Sequence, residues 1–223
     1  MPRAIGFDIY GTLVDPLDMN EHLRPLAGDD ADAMSATWRQ KQLEYTFRRG
    51  LMKKYENFGV CTKQALDFAA ESFGVSLSDD ERTKLIEEYQ NLHAFPDVAP
   101  GLEKMKANGH RLAAFSNGVE ATARMLFTNA GILAHLDEIV SVDDVGTFKP
   151  DPAVYEYLAK RFERSIEETW LVSSNPFDVI GAKAVGMNAA WIKRSGNAVF
   201  DPWGFEPDIV ASDLEELAGT LGS

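Results

Sequence analysis

Cysteine is nearly absent from this chain. Cys61 stands alone in 223 residues, so no internal disulfide can form, which fits a reducing compartment and a cytoplasmic location. Basic residues are in deficit too: 22 Lys and Arg face 35 Asp and Glu, for a formal net charge of −13. So acidic a surface repels phosphate backbones and anionic lipid, and neither nucleic acid nor a membrane is an expected partner. An anionic small molecule would need a locally built site of Arg, Lys and backbone amides. The histidines His22, His93, His110 and His135 are scattered, and with a single cysteine they leave no zinc constellation. No run approaches the ~18 apolar residues of a membrane helix. Met1-Pro2-Arg3 carries no signal-peptide pattern. A Ser-His-Asp elbow, a Walker loop and a dinucleotide glycine triad are also missing. What is present is an ordinary globular composition, 45% hydrophobic, in a chain long enough for one domain or a domain with an insertion.

The apolar run from Ala4 to Phe7 reads as a buried parallel strand ending on Asp8, with a glycine-bearing turn close behind. Ligands of open parallel sheets sit beyond the carboxyl ends of strands, so this carboxylate faces a crevice. A turn-capping Asp8 is the competing reading. From Pro16 to Phe95 the strand pattern disappears. Ala33 to Gly50 reads as a helix ended by Gly50, and Thr62 to Phe73 as a helix closed by Gly74. Ser78-Asp79-Asp80-Glu81 starts another, running to about Leu92, with acids where the helix dipole favours them. Beyond Phe95, helices over 100–108, 119–129, 152–162, 177–185 and 212–221 alternate with strands over 111–115, 138–142, 169–172, 188–192 and 207–210. That alternation predicts an α/β fold, a doubly wound parallel sheet with right-handed crossovers. The expected domains are an α/β core of residues 1–15 and 96–223 and an inserted helical cap of residues 16–95.

Polar clusters follow the later strands. Phe115-Ser116-Asn117-Gly118 offers hydroxyl, amide and N–H groups to an anion, or else caps the next helix. Lys149 precedes Pro150-Asp151-Pro152, where a merely solvated loop lysine is the alternative. Ser173-Ser174-Asn175-Pro176-Phe177-Asp178 ends on an acid that a helix dipole alone would favour. Arg39, in Trp38-Arg39-Gln40-Lys41-Gln42-Leu43-Glu44-Tyr45, reads by itself as a surface residue.

Together these stretches resemble the haloacid dehalogenase superfamily over nearly the whole chain. Its first motif, Asp-x-x-Gly-Thr-Leu after a hydrophobic run, matches Asp8-Ile9-Tyr10-Gly11-Thr12-Leu13. Phosphatases of that superfamily usually carry a second aspartate where this chain has Tyr10. They also place an acidic pair, four apart, to hold magnesium; here Ser174 fills the first place and Asp178 the second. Magnesium wants several oxygens with carboxylates among them, so no metal and no cofactor is expected. The pattern resembles the carbon–halogen branch, the L-2-haloacid dehalogenases.

The resemblance implies Asp8 as nucleophile. It implies that Ser116 and Asn117 hold the nucleophile and the substrate carboxylate, with Thr12 assisting. Lys149 would compensate Asp8 and Asp178, and Asp178, oriented by Ser173 and Asn175, would activate water with it. Tyr155 would bond near the site or simply pack. Arg39 matches the cap arginine that meets the departing halide and holds the substrate carboxylate. Tyr10, Gln40, Leu43, Phe58 and Phe177 match the substrate pocket, and Phe177 stands where one common form has tryptophan. The implied reaction converts short L-2-haloalkanoic acids to D-2-hydroxy acids through an aspartyl ester, with inversion at C2. The partners would be the 2-haloacid and halide, with a homodimer left open. A phosphatase or phosphonate hydrolase of the same superfamily is the alternative.

Overall fold

The computed structural model describes residues 1–222. The last residue of the expected core range lies outside them. In chain order the elements are β1 (Ala4–Phe7), α1 (Met19–Ala27), α2 (Ala31–Met52), α3 (Phe58–Ser72), α4 (Asp79–Glu88), α5 (Val98–Ala107), β2 (Arg111–Ser116), α6 (Glu120–Asn129), β3 (Glu138–Ser141), α7 (Pro152–Arg161), β4 (Thr169–Ser173), α8 (Pro176–Ala184), β5 (Asn188–Ile192), β6 (Ile209–Ala211) and α9 (Leu214–Leu221). The strands form one parallel sheet in the order β3-β2-β1-β4-β5-β6. β1 is central, and the strand order reverses beside it. This is where an open α/β sheet leaves a crevice at its carboxyl edge.

Helices cover both faces, which is why β1 is buried along its whole length and reads as an unbroken apolar run. Each fully buried large side chain, such as Phe7, Phe115 or Leu171, contributes about 1.5–3 kcal/mol over an exposed one. Gly6 permits the close approach of α7: a Cβ there would sit 2.6 Å from Leu158 Cδ2. Core helices start where the caps dictate. Asp151 accepts from Ala153 N and Asp213 from Glu216 N, each at the head of a helix.

Between β1 and β2 the chain builds a helical block, α1 to α4. It leaves and returns side by side, with Asp15 N donating to His93 O and Phe95 N to Leu13 O. α3 begins on an Asn57 cap, and α4 begins on a reciprocal Ser78–Glu81 capping box. The block departs from expectation in several places, among them α3, which starts at Phe58 rather than Thr62. α1 was not among the expected helices; it carries Pro25 close to its Gly28 end. α2 runs through Gly50 and stops instead where Lys53 adopts a left-handed φ of 54°. α4 ends at Glu88, short of Leu92.

Candidate active site

β1 delivers Asp8 to the carboxyl edge, where Asp8 N still donates to Val172 O at 2.9 Å. The chain then reverses sharply. Leu13 N reaches back to Ile9 O at 2.8 Å, and Gly11 takes φ +87°, a conformation natural to glycine. The turn carries Thr12 Oγ1 to 3.0 Å from Asp8 Oδ2. Asn175, ahead of α8, donates Nδ2 to the same oxygen at 2.7 Å and to Tyr10 O at 3.1 Å. Lys149 Nζ donates to Asp8 Oδ1 at 3.0 Å and to Asp178 Oδ2 at 2.8 Å. Tyr155 Oη closes the set at 2.8 Å from Asp178 Oδ1. The Lys149 side chain is 1% exposed and that of Asp178 0%, while the Asp8 side chain keeps 14%. Asp8 is therefore the member of the trio that meets the outside.

The electrostatics follow from this geometry. Burial opposes charge on Asp8, but the Lys149 ammonium, with help from Arg39 and Thr12, outweighs it and holds the carboxyl below its ordinary range. Asp178 is pushed the other way, chiefly by burial, with the Asp8 charge adding to it against the pull of Lys149. Burial works against the Lys149 charge too, yet two carboxylates raise it above a free lysine. Tyr10 is pushed up to about 12, mainly by burial, and stays a neutral phenol. A neutral phenol is a poor stand-in for a magnesium-binding carboxylate. Among the described residues no group of three or more His, Cys, Asp or Glu side chains is placed to hold a metal.

In front of Asp8 lies a cavity walled by Tyr10, Arg39, Leu43, Phe58, Ser116, Asn117 and Phe177. Its volume is about 10 Å³, on the scale of one water molecule. Tyr10 stacks on Phe58 at 5.8 Å, and Phe47 meets Phe177 edge-on at 5.1 Å, which joins α2 to α8 over the site. Arg39 lies 5.6 Å from the centre of the Tyr10 ring. A larger recess of about 330 Å³, beside Arg3 and Arg111, lies at the opposite end of the sheet, where strands begin.

Some expected positions differ. Gln40 is exposed and lies outside the cavity wall, because α2 turns Arg39 and Leu43 to that side instead. The Asn175 side chain bonds Asp8 rather than the Asp178 carboxylate, while Asn175 O accepts from Asp178 N at 3.1 Å, and Ser173 Oγ accepts from Asn175 N at 3.1 Å. Asp178 is oriented by Lys149 and Tyr155. Ser116 Oγ accepts from Gly118 N at 2.8 Å and Asn117 Oδ1 from Lys149 N at 3.0 Å. Both residues line the cavity, and neither bonds Asp8 among the described residues.

The family model for haloacid dehalogenase-like hydrolases matches residues 2–186. The chain belongs to that family. It is 36% identical to a (S)-2-haloacid dehalogenase of Pseudomonas putida, over 98% of this chain and 96% of the other. It is 38% identical to haloacetate dehalogenase H-2 of Moraxella sp. (strain B), over 96% of each. Among solved structures it is similar to the L-2-haloacid dehalogenase of Xanthobacter autotrophicus with chloropropionic acid covalently bound. That match has a TM-score of 0.92 and 28% identity, and covers 99% of this chain and 98% of the other.

In this haloacid dehalogenase-like hydrolase, sequence reasoning passed over several supporting residues. Ser174, read only as a missing acid, donates its N–H to Thr12 Oγ1 at 2.8 Å. Arg194 ties Thr12 O, at 2.5 Å, to Asp97. Gly181 leaves room for Tyr155: a Cβ there would meet Tyr155 Oη at 2.4 Å. Gln42, fully buried, accepts from Arg39 NH1 at 2.6 Å. Its signal was its place one turn beyond Arg39 on the same helix face.

Proposed function

We propose that this hydrolase removes halide from short L-2-haloalkanoic acids and gives the D-2-hydroxy acids. The observation that carries the reading is Asp8: an ionised carboxylate in the cavity wall, fixed by Thr12, Asn175 and Lys149, with Arg39 across the same cavity. Asp8 attacks C2 from the side away from the halogen. A C–O bond forms, the carbon–halogen bond breaks, and its electron pair leaves as halide. Arg39 stabilises the leaving charge and holds the substrate carboxylate. Water then attacks the Asp8 carbonyl carbon and gives its proton to Asp178, poised by Lys149 and Tyr155. The ester C–O bond breaks, the alkoxide takes up a proton, and Asp8 is regenerated. C2 is displaced once, so its configuration inverts once.

Residues 16–95 act as the cap in this reading. The cavity of about 10 Å³ is too small for a 2-haloacid, so substrate entry requires the cap to swing on the paired segments at Leu13–Asp15 and His93–Phe95. The phosphatase alternative loses support from Tyr10, a buried neutral phenol where that chemistry uses an acid. The reading is tested by halide release from L- and D-2-chloropropionate, chloroacetate and fluoroacetate, with EDTA present. Release from the L-acid and not the D-acid is expected. Phosphate release from phosphate esters in the absence of halide release would contradict it.

A further inference from the structure

Arg39 lies across the cavity from the nucleophile, yet no carboxylate pairs with it among the described residues. Its side-chain hydrogen bond goes to a neutral amide, Gln42 Oε1, at 2.6 Å. Gln42 is 0% exposed, and its Nε2 donates to Thr62 Oγ1 at 2.7 Å. The Thr62 hydroxyl has one proton, which goes to Phe58 O at 2.9 Å. Thr62 must therefore accept from Gln42, and this settles the amide orientation, with the oxygen toward Arg39. The relay ends in the first turn of α3, which also supplies Phe58 to the cavity wall. α2 and α3 are further locked at the same point, where Trp38 Nε1 donates to Thr62 O at 2.9 Å.

We infer that Gln42 is a positioning residue: the Thr62–Gln42 relay holds the Arg39 guanidinium over the cavity while leaving its charge uncompensated for halide. The inference rests on the functional reading above. A glutamate at this place could still accept from the arginine, but it would have no N–H to give Thr62 and would spend the positive charge on a buried ion pair. A neutral acceptor with a fixed orientation supplies geometry without that loss. This explains why a glutamine, with a polar group costly to bury unpaired, is fully buried between α2 and α3.

The test compares Q42M and Q42E with wild type in chloride release from L-2-chloropropionate and in inhibition by bromide. Q42M keeps the volume and loses the anchor. Q42E keeps shape and the acceptor toward Arg39, loses the N–H toward Thr62 and adds the opposing charge. Both should lower kcat at least tenfold and raise the bromide inhibition constant at least tenfold, with Q42E affected more. A purely structural Gln42 would lower the melting temperature but leave bromide affinity in the folded fraction unchanged, and that result overturns the inference. If Q42M fails to fold, T62V removes the same relay one bond further out and should weaken bromide binding several-fold; unchanged binding in T62V also overturns it. Normal wild-type turnover with unaltered variants defeats the inference alone. A wild type that releases no chloride defeats the functional reading and the inference with it.

Discussion

Tyr155 donates its hydroxyl to the Asp178 carboxylate at 2.8 Å, and both side chains are fully buried. This bond is aimed at the group proposed to take a proton from water, so it should be visible in the pH dependence. Asp178 works ionised, and burial raises it above an ordinary aspartate. Activity should therefore fall as pH drops through that raised value. On the alkaline side, Lys149 is held above the free lysine range, so activity should persist until the solution is more basic than an ordinary lysine would require.

Tyr155→Phe removes a hydrogen bond to the charged form of Asp178. Such bonds contribute about 1.5–3 kcal/mol, so the carboxyl should rise further, by about one to two pH units. The acid limb of the kcat–pH profile should move upward by that amount, with the melting temperature only modestly lowered. An acid limb that stays in place would mean that Asp178 is not the base.

Arg39→Ala should slow halide release on the order of 10²-fold, by analogy with the loss of one oxyanion-hole donor. Its lost bond leaves the buried Gln42 Oε1 without a partner, so stability should fall by about 1–3 kcal/mol. Steady-state halide release and thermal melting, measured on the same preparation, separate the two effects. A near-normal rate would refute the halide role.

Chelation should leave the rate unchanged, and so should added magnesium. The physical ground is the chemistry of the site: Tyr10 stays protonated, and the acids present are engaged with Lys149. Halide release titrated with EDTA and then with Mg²⁺ checks this. A loss on chelation that magnesium restores would point to phosphoryl chemistry.

The sheet was legible because its signals are local and redundant. β1 shows an unbroken apolar run, and α7 and α9 begin on Asp caps. The helical block was less so, since Gly50 looks like a breaker and α2 runs through it. In the site, it was the family resemblance that brought Asp8, Thr12, Ser116, Asn117, Lys149 and Asp178 to one crevice, and the structure places them at the ends of neighbouring strands and in the loops beyond. The bonding partners were not legible. Whether Asn175 serves Asp8 or Asp178 depends on a side-chain direction set by the turn after β4. Gln40 and Gln42 differ in sequence by two positions but point to roughly opposite sides of α2, about 200° apart, which puts one in solvent and the other on Arg39.

The central claim is that Asp8 itself bonds to the substrate carbon. Asp8→Asn should abolish turnover with the fold intact, because an amide is a poor nucleophile. The most direct test is a single turnover of L-2-chloropropionate with excess wild-type enzyme in ¹⁸O-water, followed by mass spectrometry of product and of the peptide carrying Asp8. The ester route predicts label in the Asp8 carboxylate and none in the product hydroxyl, because the first product takes its oxygen from Asp8. Label in the product with an unlabelled Asp8 would mean that water attacks C2 directly, and would contradict the account.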